Sequence, residues 1–333
     1  MATINFISIV IPNFNGRHLL QDNIPSVICA AQTTGLEFEI IVADDASTDD
    51  SVAWLRATYP EIICLPTQTN GGFSTNINRG VRIAKGDVVL LLNSDVKLTP
   101  DYLLPLLKYF SASDTFGVIG QLIDPESGAI KGGAKYPKID LTTIWGTANY
   151  WPTEETDENV WLPSFFLSGD SALVSREKLL TLGGFDESFS PFYGEDLDLG
   201  IRAWRMGWKC YFEPDALFYH KTASTISTVH KQTYTKPIIR RNKILLHYIH
   251  LQGARRYLWF LHEMLRLIVK SITFDMYYVK GLADFLRRFP KARHSRQAFS
   301  QLCRQNKNGA CLSIGQTKKR ILSIIDKQAI RRD

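Results

Sequence analysis

The sequence predicts an α/β protein: a doubly wound, mostly parallel sheet followed by a helical, basic C-terminal extension. Between residues 6 and 96, short apolar runs alternate with helical patterns, which is the spacing of consecutive βαβ units. The apolar runs are unbroken and rich in β-branched residues, as in strands that are buried on both faces. From about Lys236, aromatic and aliphatic residues are interleaved with Arg and Lys in a helical pattern.

The elements follow one another in order along the chain. The predicted strands are 6–12, 38–43, 61–65, 88–95, 117–123, a short strand within 165–174, and 211–220. The predicted helices are 19–31, 51–58, 75–84 and 176–182, one that begins at Glu195, and several within 238–289. Residues 124–165 are rich in Gly, Pro, Trp and Tyr and are predicted to be irregular, with hairpins and a loop.

Charge divides the chain into two unequal parts. Residues 1–220 hold 15 Lys+Arg and 28 Asp+Glu, a balance of −13, whereas residues 221–333 hold 24 and 5, a balance of +19. This asymmetry predicts that the C-terminal part meets an acidic partner, either an anionic membrane surface or a nucleic acid. No nucleic-acid-binding motif is recognisable, so we expect no nucleic-acid partner.

Several classes of protein do not fit the sequence. The first strand is not followed by GxGxxG, and GxxxxGK[ST] is missing, which argues against a nicotinamide dehydrogenase and a P-loop NTPase. The N-terminus has no basic region or cleavage site, and no apolar run reaches the length of a membrane span. The five cysteines are scattered, with neither CxxC spacing nor a disulfide framework, so a reducing cytosol is expected.

Polar residues follow three of the predicted strands. Asp95 ends the fourth strand, Asp44 and Asp45 follow the second, and Asn13 follows the first. Ligands of open α/β sheets bind outside the carboxyl ends of strands, where carboxylates suit Mg²⁺ or Mn²⁺ and can accept from a base or ribose. The alternatives are that Asp95 opens a turn and that the acid pair caps the next helix. The loop Asn70-Gly71-Gly72 admits a close ligand or is a simple turn.

A second group of acids lies late in the chain. Glu195, Asp196 and Asp198 open a predicted helix beside aromatic residues. The helix dipole stabilises acids at this position, which is the structural alternative. Neighbouring carboxylates also raise one another's pKa, which suits a general base. His220 ends the last strand and is, by itself, either a structural residue or a ligand.

Together these stretches resemble family 2 glycosyltransferases of the GT-A fold, close in pattern to the rhamnosyltransferase-like bacterial subgroup. The resemblance spans about residues 6–225 in family order. It rests on SIVIPNFNG (8–16), IIVADDASTDDS (40–51), NGGFSTNINRG (70–80), LLLNSDV (90–96), SGDSALVSREKLLTLGGFDESF (168–189), YGEDLDLGIRAWRMG (193–207) and FYHKTAST (218–225).

The resemblance implies a site for a nucleotide-diphosphate sugar carrying UDP, dTDP or GDP. The residues at the family's donor-binding positions are Pro12, Asn13, Asp44, Asp45, Asn70, Gly71, Asn93, Ser94 and Asp95. Asn93 replaces the first Asp of the family's DXD metal motif. A divalent cofactor, Mg²⁺ or Mn²⁺, would then be held by Asp95 and by the family's late histidine, His220.

The resemblance also implies the catalytic and acceptor residues. Glu195 and Asp196 correspond to the family's ED motif, with Asp196 as the catalytic base. The residues at the acceptor-binding positions are Gly169, Asp170, Gly184, Phe185 and Asp186. The implied enzyme is an inverting glycosyltransferase that adds single sugars to a hydroxyl of a glycan or lipid-linked saccharide, in cell-surface polysaccharide biosynthesis. The rival is a non-catalytic nucleotide-sugar or glycan-binding protein that kept the fold.

The predicted organisation has three parts. A catalytic domain spans 1–230, with a nucleotide-sugar half to about residue 120 and an acceptor half from 121. Residues 231–290 form amphipathic helices, and residues 291–333 form a basic, partly disordered tail. The mixture of Arg, Lys, Trp, Phe and Leu predicts a cytoplasmic protein, peripheral on the inner face of the cell membrane. The alternative is a helical appendage packed on the catalytic domain.

Overall fold

The computed structural model describes residues 4–145, 148–153, 161–220, 231–306, 309, 311–328 and 330–332. The strands are β1 (Phe6–Asn13), β2 (Glu37–Asp44), β3 (Ile63–Pro66), β4 (Val88–Leu92), β5 (Val96–Leu98), β6 (Thr115–Ile123), β7 (Ala134–Lys135), β8 (Lys138–Ile139), β9 (Ile144–Trp145), β10 (Asn149–Pro152), β11 (Leu162–Pro163), β12 (Ser171–Ser175), β13 (Lys209–His220) and β14 (Ile330–Arg332). The α-helices are α1 (Arg17–Thr33), α2 (Ser51–Thr58), α3 (Phe73–Ile83), α4 (Leu104–Leu107), α5 (Arg176–Thr181), α6 (Glu195–Arg205), α7 (Gln232–His250), α8 (Gly253–Ile272), α9 (Met276–Arg287), α10 (Phe289–Gln305) and α11 (Ile314–Ile325).

Within the described ranges, nine strands form the central sheet in the order β11-β13-β6-β12-β4-β1-β2-β3, with β5 paired to β13. Strands β3, β2, β1 and β4 are parallel, as predicted. Strand β12 runs antiparallel between β4 and β6, and β13 returns parallel to β6. All five residues of β4 are buried, because both faces of the sheet are covered.

The predicted strand that ends at Asp95 is shorter in the structure, and a second strand follows it. Strand β4 ends at Leu92, and the N–H of Asn93 donates to the carbonyl of Asp170 at 2.9 Å. Strand β5 begins at Val96 and pairs antiparallel with β13. The chain therefore changes partners between the two strands, and this turn holds Asp95 at the edge of the sheet.

The C-terminal helices share one apolar core with the sheet. Buried side chains of α7 and α8, including Ile244 and Trp259, belong to the same cluster as the central strands. The prediction of partial disorder after residue 290 is wrong for α10 and α11, whose Phe299, Ile321 and Ile325 are buried. Apolar residues are sparse there but recur at helical spacing, so the average polarity of the segment concealed the packed faces.

Two further observations concern expectations from composition. Cys303 and Cys311 form a disulfide, which the scattered cysteine spacing did not predict. The end of α10 and the start of the segment before α11 bring their Cα atoms to 5.2 Å, a separation that a disulfide bridges. In the described part of the chain, the helices fall short of the length and apolar character needed to cross a bilayer.

Candidate active site

The first two strand ends meet as the sequence predicts. Asn13 and Asp44 are register partners in the parallel pair β1 and β2. The side-chain amide of Asn13 donates to Asp44 at 2.8 Å, and Ser47 donates to the same carboxylate through its hydroxyl (2.6 Å) and its N–H (3.0 Å). The Oδ1 atom of Asn13 is buried and has no partner in the described residues. The oriented carboxylate of Asp44 and the unpaired Oδ1 of Asn13 therefore lie at this edge of the sheet, beside Pro12.

Asp45 organises the neighbouring loop. Its two carboxylate oxygens accept from the N–H groups of Gly71 and Gly72 at 2.8 and 2.9 Å. Burial raises the pKa of Asp45, although both backbone hydrogen bonds oppose the rise. The Oδ1 atom of Asn70 also accepts from Gly72 at 3.2 Å. Asp45 thus shapes the Asn-Gly loop in this structure rather than capping the next helix.

The loop at Gly72 touches the segment that precedes the acid pair. A Cβ atom on Gly72 would lie 2.8 Å from the Cα of Pro191, and the φ of Gly72 is +80°. The N–H of Phe73 donates to the carbonyl of Pro191 at 3.1 Å. Only glycine permits this approach without displacing backbone, so the predicted donor loop and the acid-bearing segment are in direct contact.

The Asn93-Ser94-Asp95 turn lies beside the end of β13. The Nε2 atom of His220 is 3.3 Å from Oδ1 of Asp95, and Nδ1 is 3.7 Å from Oδ2 of Asp170. The carbonyl of Ser94 accepts from Asn23 at 2.9 Å, which fixes the turn against α1. Three residues predicted separately are therefore one cluster, and Asp170, predicted to bind the acceptor, belongs to it.

His220 is held between two carboxylates. Burial alone would lower its pKa, but the carboxylates of Asp170 and Asp95 outweigh burial and raise the pKa of His220 to about 10. A histidine that ligates a metal must be neutral, so metal binding here would release a proton.

The donor set fits a metal ion that is shared with a ligand. In the described ranges, no three His, Cys, Asp or Glu side chains converge on one point, because the two ring nitrogens of His220 face different carboxylates. Asp95 and His220 offer one oxygen and one nitrogen donor. Mg²⁺ is commonly bound by one or two carboxylates together with substrate phosphates, and the carboxylate of Asp95 suits that arrangement.

Asp196 lies against a glycine that leaves it room. A Cβ atom on Gly169 would come within 2.8 Å of Oδ1 of Asp196. That oxygen is buried and makes no hydrogen bond to the described residues. Burial raises the pKa of Asp196 well above its ordinary value, the charge of Glu195 adds to the rise, and the N–H of Gly169 opposes it. The geometry provides a basic carboxylate with one oxygen available.

The other two acids of this group differ in role. Glu195 is buried, and burial and the charge of Asp198 raise its pKa. Asp198 is fully buried and paired, with Oδ2 2.7 Å from Arg202 and Oδ1 2.8 Å from Nε2 of His250. These partners lower the pKa of Asp198 although burial alone would raise it. Asp198 therefore fastens α6 to α7, and both of its carboxylate oxygens are occupied.

The predicted acceptor residues at 184–186 are held by α3. Asn78 donates to the carbonyl of Phe185 at 2.9 Å and accepts from its N–H at 2.9 Å. Gly184 has a φ of +77°, and a Cβ there would meet Asn78. Asp186 accepts from the N–H of Ser188 at 2.9 Å and caps the 3₁₀ helix Glu187–Phe189. The ring of Phe185 packs edge-on to Phe73 at 5.5 Å.

Side chains of helix α7 form hydrogen bonds to the segment that precedes Glu195. The amide of Asn242 donates to the carbonyls of Phe189, Phe192 and Tyr193 at 2.7 to 2.9 Å. Arg241 donates to the carbonyls of Phe189 and Ser190 at 3.1 and 2.6 Å, and both side chains are buried. These bonds satisfy backbone acceptors that would otherwise be unpaired, and they fix the entry to α6.

Sequence reasoning missed several residues that build the site. Asn78, Arg241 and Asn242 are buried polar side chains within helices, and Lys135 lies close enough to oppose the rise in the pKa of Asp196. A buried amide on an otherwise amphipathic helix was the one available signal, since such a group needs specific partners. Residues 221–225 of the predicted FYHKTAST stretch lie outside the described residues.

The sequence model of the family described as "Glycosyl transferase family 2" matches residues 8–183. An N-acetylglucosaminyl-diphospho-decaprenol L-rhamnosyltransferase of Mycobacterium tuberculosis is 31% identical over 225 residues, which cover 59% of this chain and 73% of that protein. A chondroitin synthase of Escherichia coli is 26% identical over 251 residues, which cover 66% of this chain and 35% of that protein.

Solved structures share the fold. The crystal structure of GalNAc-T7 with UDP, GalNAc and Mn²⁺ superposes with a TM-score of 0.65 at 15% identity and covers 98% of this chain and 58% of that chain. A mannosyltransferase from Pyrobaculum calidifontis in complex with GDP-Man and Mn²⁺ superposes with a TM-score of 0.51 at 15% identity, covering 98% and 87%. The predicted GT-A fold is confirmed by these likenesses.

Proposed function

Because this chain belongs to family 2 of the glycosyltransferases, we propose that it moves one sugar, with inversion, from a nucleotide-diphosphate donor to a hydroxyl of a glycan or lipid-linked saccharide. One observation carries the proposal. Asp196 lies against Gly169, and the next residue, Asp170, faces His220 together with Asp95. The candidate base, Asp196, and the candidate diphosphate-binding pair, Asp95 and His220, are therefore linked through the consecutive residues 169 and 170.

The chemistry follows from an oxygen of the basic Asp196 carboxylate that has no hydrogen-bond partner in the described residues. The acceptor hydroxyl gives its proton to Asp196 while its oxygen attacks the anomeric carbon. The bond between that carbon and the diphosphate oxygen breaks, and the nucleoside diphosphate leaves with the electron pair. A positioned general base contributes about 10²–10⁴-fold to such a step.

The proposed donor site is formed by the ends of β1 and β2, at Asn13 and Asp44. Asp44, oriented by Asn13 and Ser47, accepts from base or ribose, and the open Oδ1 of Asn13 offers a further acceptor. Asp95 and His220 would hold Mg²⁺ or Mn²⁺, which when bound offsets the charge of the departing diphosphate. The Mn²⁺ in the GalNAc-T7 and mannosyltransferase structures supports a divalent ion and makes Mn²⁺ the first to test.

The acceptor is proposed to be linked to a membrane lipid. The mycobacterial relative is named for a diphospho-decaprenol acceptor and for L-rhamnose, which supports a lipid-linked saccharide and a deoxyhexose here. Helix α8 supports a membrane location because its outer face is apolar and exposed. The exposed side chains are Tyr257, Leu258, Phe260, Leu261, Met264, Leu265, Ile268, Val269 and Ile272. We propose that this face lies in the interfacial plane on the inner side of the cell membrane.

A donor panel tests the proposed function. The full-length protein is incubated with UDP-, dTDP- and GDP-sugars and Mn²⁺, first alone and then with an N-acetylglucosaminyl-diphospho-lipid. We expect slow hydrolysis of one donor and faster consumption of that donor when acceptor is added. Donor binding without turnover for any donor and acceptor, unchanged by Asp196→Asn, would instead favour a non-catalytic nucleotide-sugar-binding protein.

A further inference from the structure

A basic cavity lies behind α8, away from the strand ends. It has a volume of about 220 Å³ and is enclosed by α7, α8 and α9. Its lining side chains are Arg240, Lys243, Ile244, His247, Glu263, Arg266, Lys270 and Tyr278. A second cavity of about 530 Å³ adjoins it through Arg240 and reaches the exposed side chains of Phe274 and Met276.

The positive charge of the cavity is only partly balanced. Arg266 is 3.0 Å from Glu263, and Lys270 is 3.1 Å from Asp275. No carboxylate in the described residues lies within ion-pair distance of Arg240 or Lys243. Burial and the neighbouring cations Arg266 and Arg240 together lower the pKa of Lys243 to about 8, although the charge of Glu263 opposes the shift. An anion in the cavity would relieve this repulsion.

The remaining polar groups of the cavity are already committed. Glu263 accepts from the hydroxyl of Tyr278 at 2.6 Å. Burial lowers the pKa of His247 to about 4, so its ring is neutral near pH 7. The ring lies between the carbonyl of Lys243 (2.6 Å) and the N–H of Ile144 (2.9 Å), which satisfies both nitrogens. The ammonium of Lys243 lies 3.6 Å from the centroid of the Trp145 ring, and this contact occupies only part of its three N–H donors. Arg240 and Lys243 are therefore the groups with donors left to meet a ligand.

The position of the cavity indicates the source of the anion. Glu263, Arg266 and Lys270 face inward on α8, opposite the exposed apolar stripe. With that stripe at the acyl boundary, the cavity lies about one helix diameter, roughly 10 Å, toward the protein. The headgroup layer is about 5–7 Å thick on each side of a bilayer, so a phosphate at the end of a lipid headgroup comes to within about 3–5 Å of this level.

We propose that Arg240 and Lys243 form a binding site for the terminal phosphate or diphosphate of a membrane lipid. The inference rests on the proposed membrane association but not on the transfer chemistry. Phosphate oxygens match a guanidinium and an ammonium that converge on one cavity. The bound lipid would sit on the face of α7 opposite Arg241 and Asn242, the residues that clamp the segment before Glu195.

Vesicle binding tests the site with a matched control. Arg240→Gln/Lys243→Gln removes two charges from the cavity, and Lys280→Gln/Lys291→Gln removes two exposed charges elsewhere on α9 and α10. Phosphatidylcholine vesicles contain either phosphatidic acid or oleate at equal surface charge. We expect wild-type protein and the control pair to prefer phosphatidic acid, and the cavity pair to lose that preference with about 20-fold weaker binding. An equal loss of the preference for phosphatidic acid in both double variants, or no loss in either, would overturn the proposed site.

A second measurement separates lipid from free phosphate. Inorganic pyrophosphate without divalent metal should raise the Tm of wild type and the control pair more than that of the cavity pair. A cavity that responds to pyrophosphate but gives phosphatidic acid vesicles no advantage would overturn the lipid assignment. Neither readout requires turnover, so a failure of the donor panel leaves this result standing, and the reverse also holds.

Discussion

The side-chain amide of Asn242 donates to the main-chain carbonyl of Tyr193 at 2.7 Å. A helix of the basic C-terminal region thereby holds the residue two positions before Glu195. The same amide reaches Phe189 and Phe192, and His250, further along the helix, is bonded to Asp198. The C-terminal helices are therefore part of the scaffold of the acid-bearing segment and cannot be removed without exposing it.

Replacing Asn242 should separate catalysis from donor binding. Asn242→Ala removes a donor from the carbonyls of Phe192 and Tyr193, whereas the carbonyl of Phe189 keeps Arg241, and the loss costs about 1–3 kcal/mol in the free energy of unfolding. We expect kcat to fall at least tenfold while the Kd for donor nucleotide changes little, because Asn13 and Asp44 are untouched. The matched control is Asn306→Ala, whose amide donates to the carbonyl of Met206 at the far end of α6. A kcat loss no larger than that of the control would reduce Asn242 to a purely structural residue.

Asp196→Asn should abolish transfer and spare donor binding. The amide cannot take the proton of the acceptor hydroxyl, so the rate should fall about 10²–10⁴-fold. Single-turnover transfer and equilibrium binding of the nucleotide are measured on the same preparation. Glu195→Gln serves as the comparison, since Glu195 is not placed as the base. Transfer near the wild-type rate in Asp196→Asn would move the base to Glu195 or Asp186.

The pH profile should report the raised pKa of Asp196. The base must be ionised to act, so the rate falls as pH drops through its pKa, and burial and Glu195 have moved that pKa upward. We expect the acid limb of kcat/KM to lie well above the ordinary Asp value of about 3.9. Glu195→Gln removes a neighbouring negative charge and should shift the limb to lower pH. A limb in the ordinary carboxylate range, unmoved by this change, would contradict the assignment.

Asp95→Ala should weaken donor binding only when metal is present. The change removes the carboxylate proposed to bind the metal ion together with His220. Mn²⁺ or Mg²⁺ should then no longer strengthen nucleotide binding. Wild-type activity should disappear in excess EDTA and return with added metal. Asp22→Ala, an exposed acid on α1, controls for the loss of a negative charge. Full activity in EDTA would assign leaving-group stabilisation to His220 and nearby basic residues instead.

Acidic substitutions on the outer face of α8 should release the protein from vesicles. Leu261→Glu/Leu265→Glu/Ile268→Glu places three carboxylates on the exposed stripe, at side chains that are 58–65% exposed. We expect flotation with anionic vesicles at low salt to be lost while Tm is kept. Gln297→Glu/Gln301→Glu/Gln305→Glu adds the same charge to exposed positions of α10. If this control and the α8 variant float equally well, α8 does not dock, and a water-soluble acceptor becomes the better hypothesis.

The sequence by itself determined the order of the strands and helices and the residues at the strand ends. Apolar periodicity and local turn chemistry depend on neighbours in the chain, so β1, β2 and α2 could be predicted almost to the residue. The parallel order then implied that Asn13, Asp44 and Asp95 share one edge of the sheet, and the structure places them there. The residues matched to the family motifs came from the same stretches.

The tertiary structure alone decided the partners of buried polar groups. Asp170 faces His220, Asp198 binds Arg202 and His250, and Asn242 holds Tyr193. The sequence shows that such groups exist but not which distant donor or acceptor meets them. A buried polar group is stable only with a specific partner, and that partner is supplied by packing between elements far apart in the chain. The exposed face of α8 was decided in the same way, because periodicity cannot distinguish an apolar stripe that is covered from one that is not.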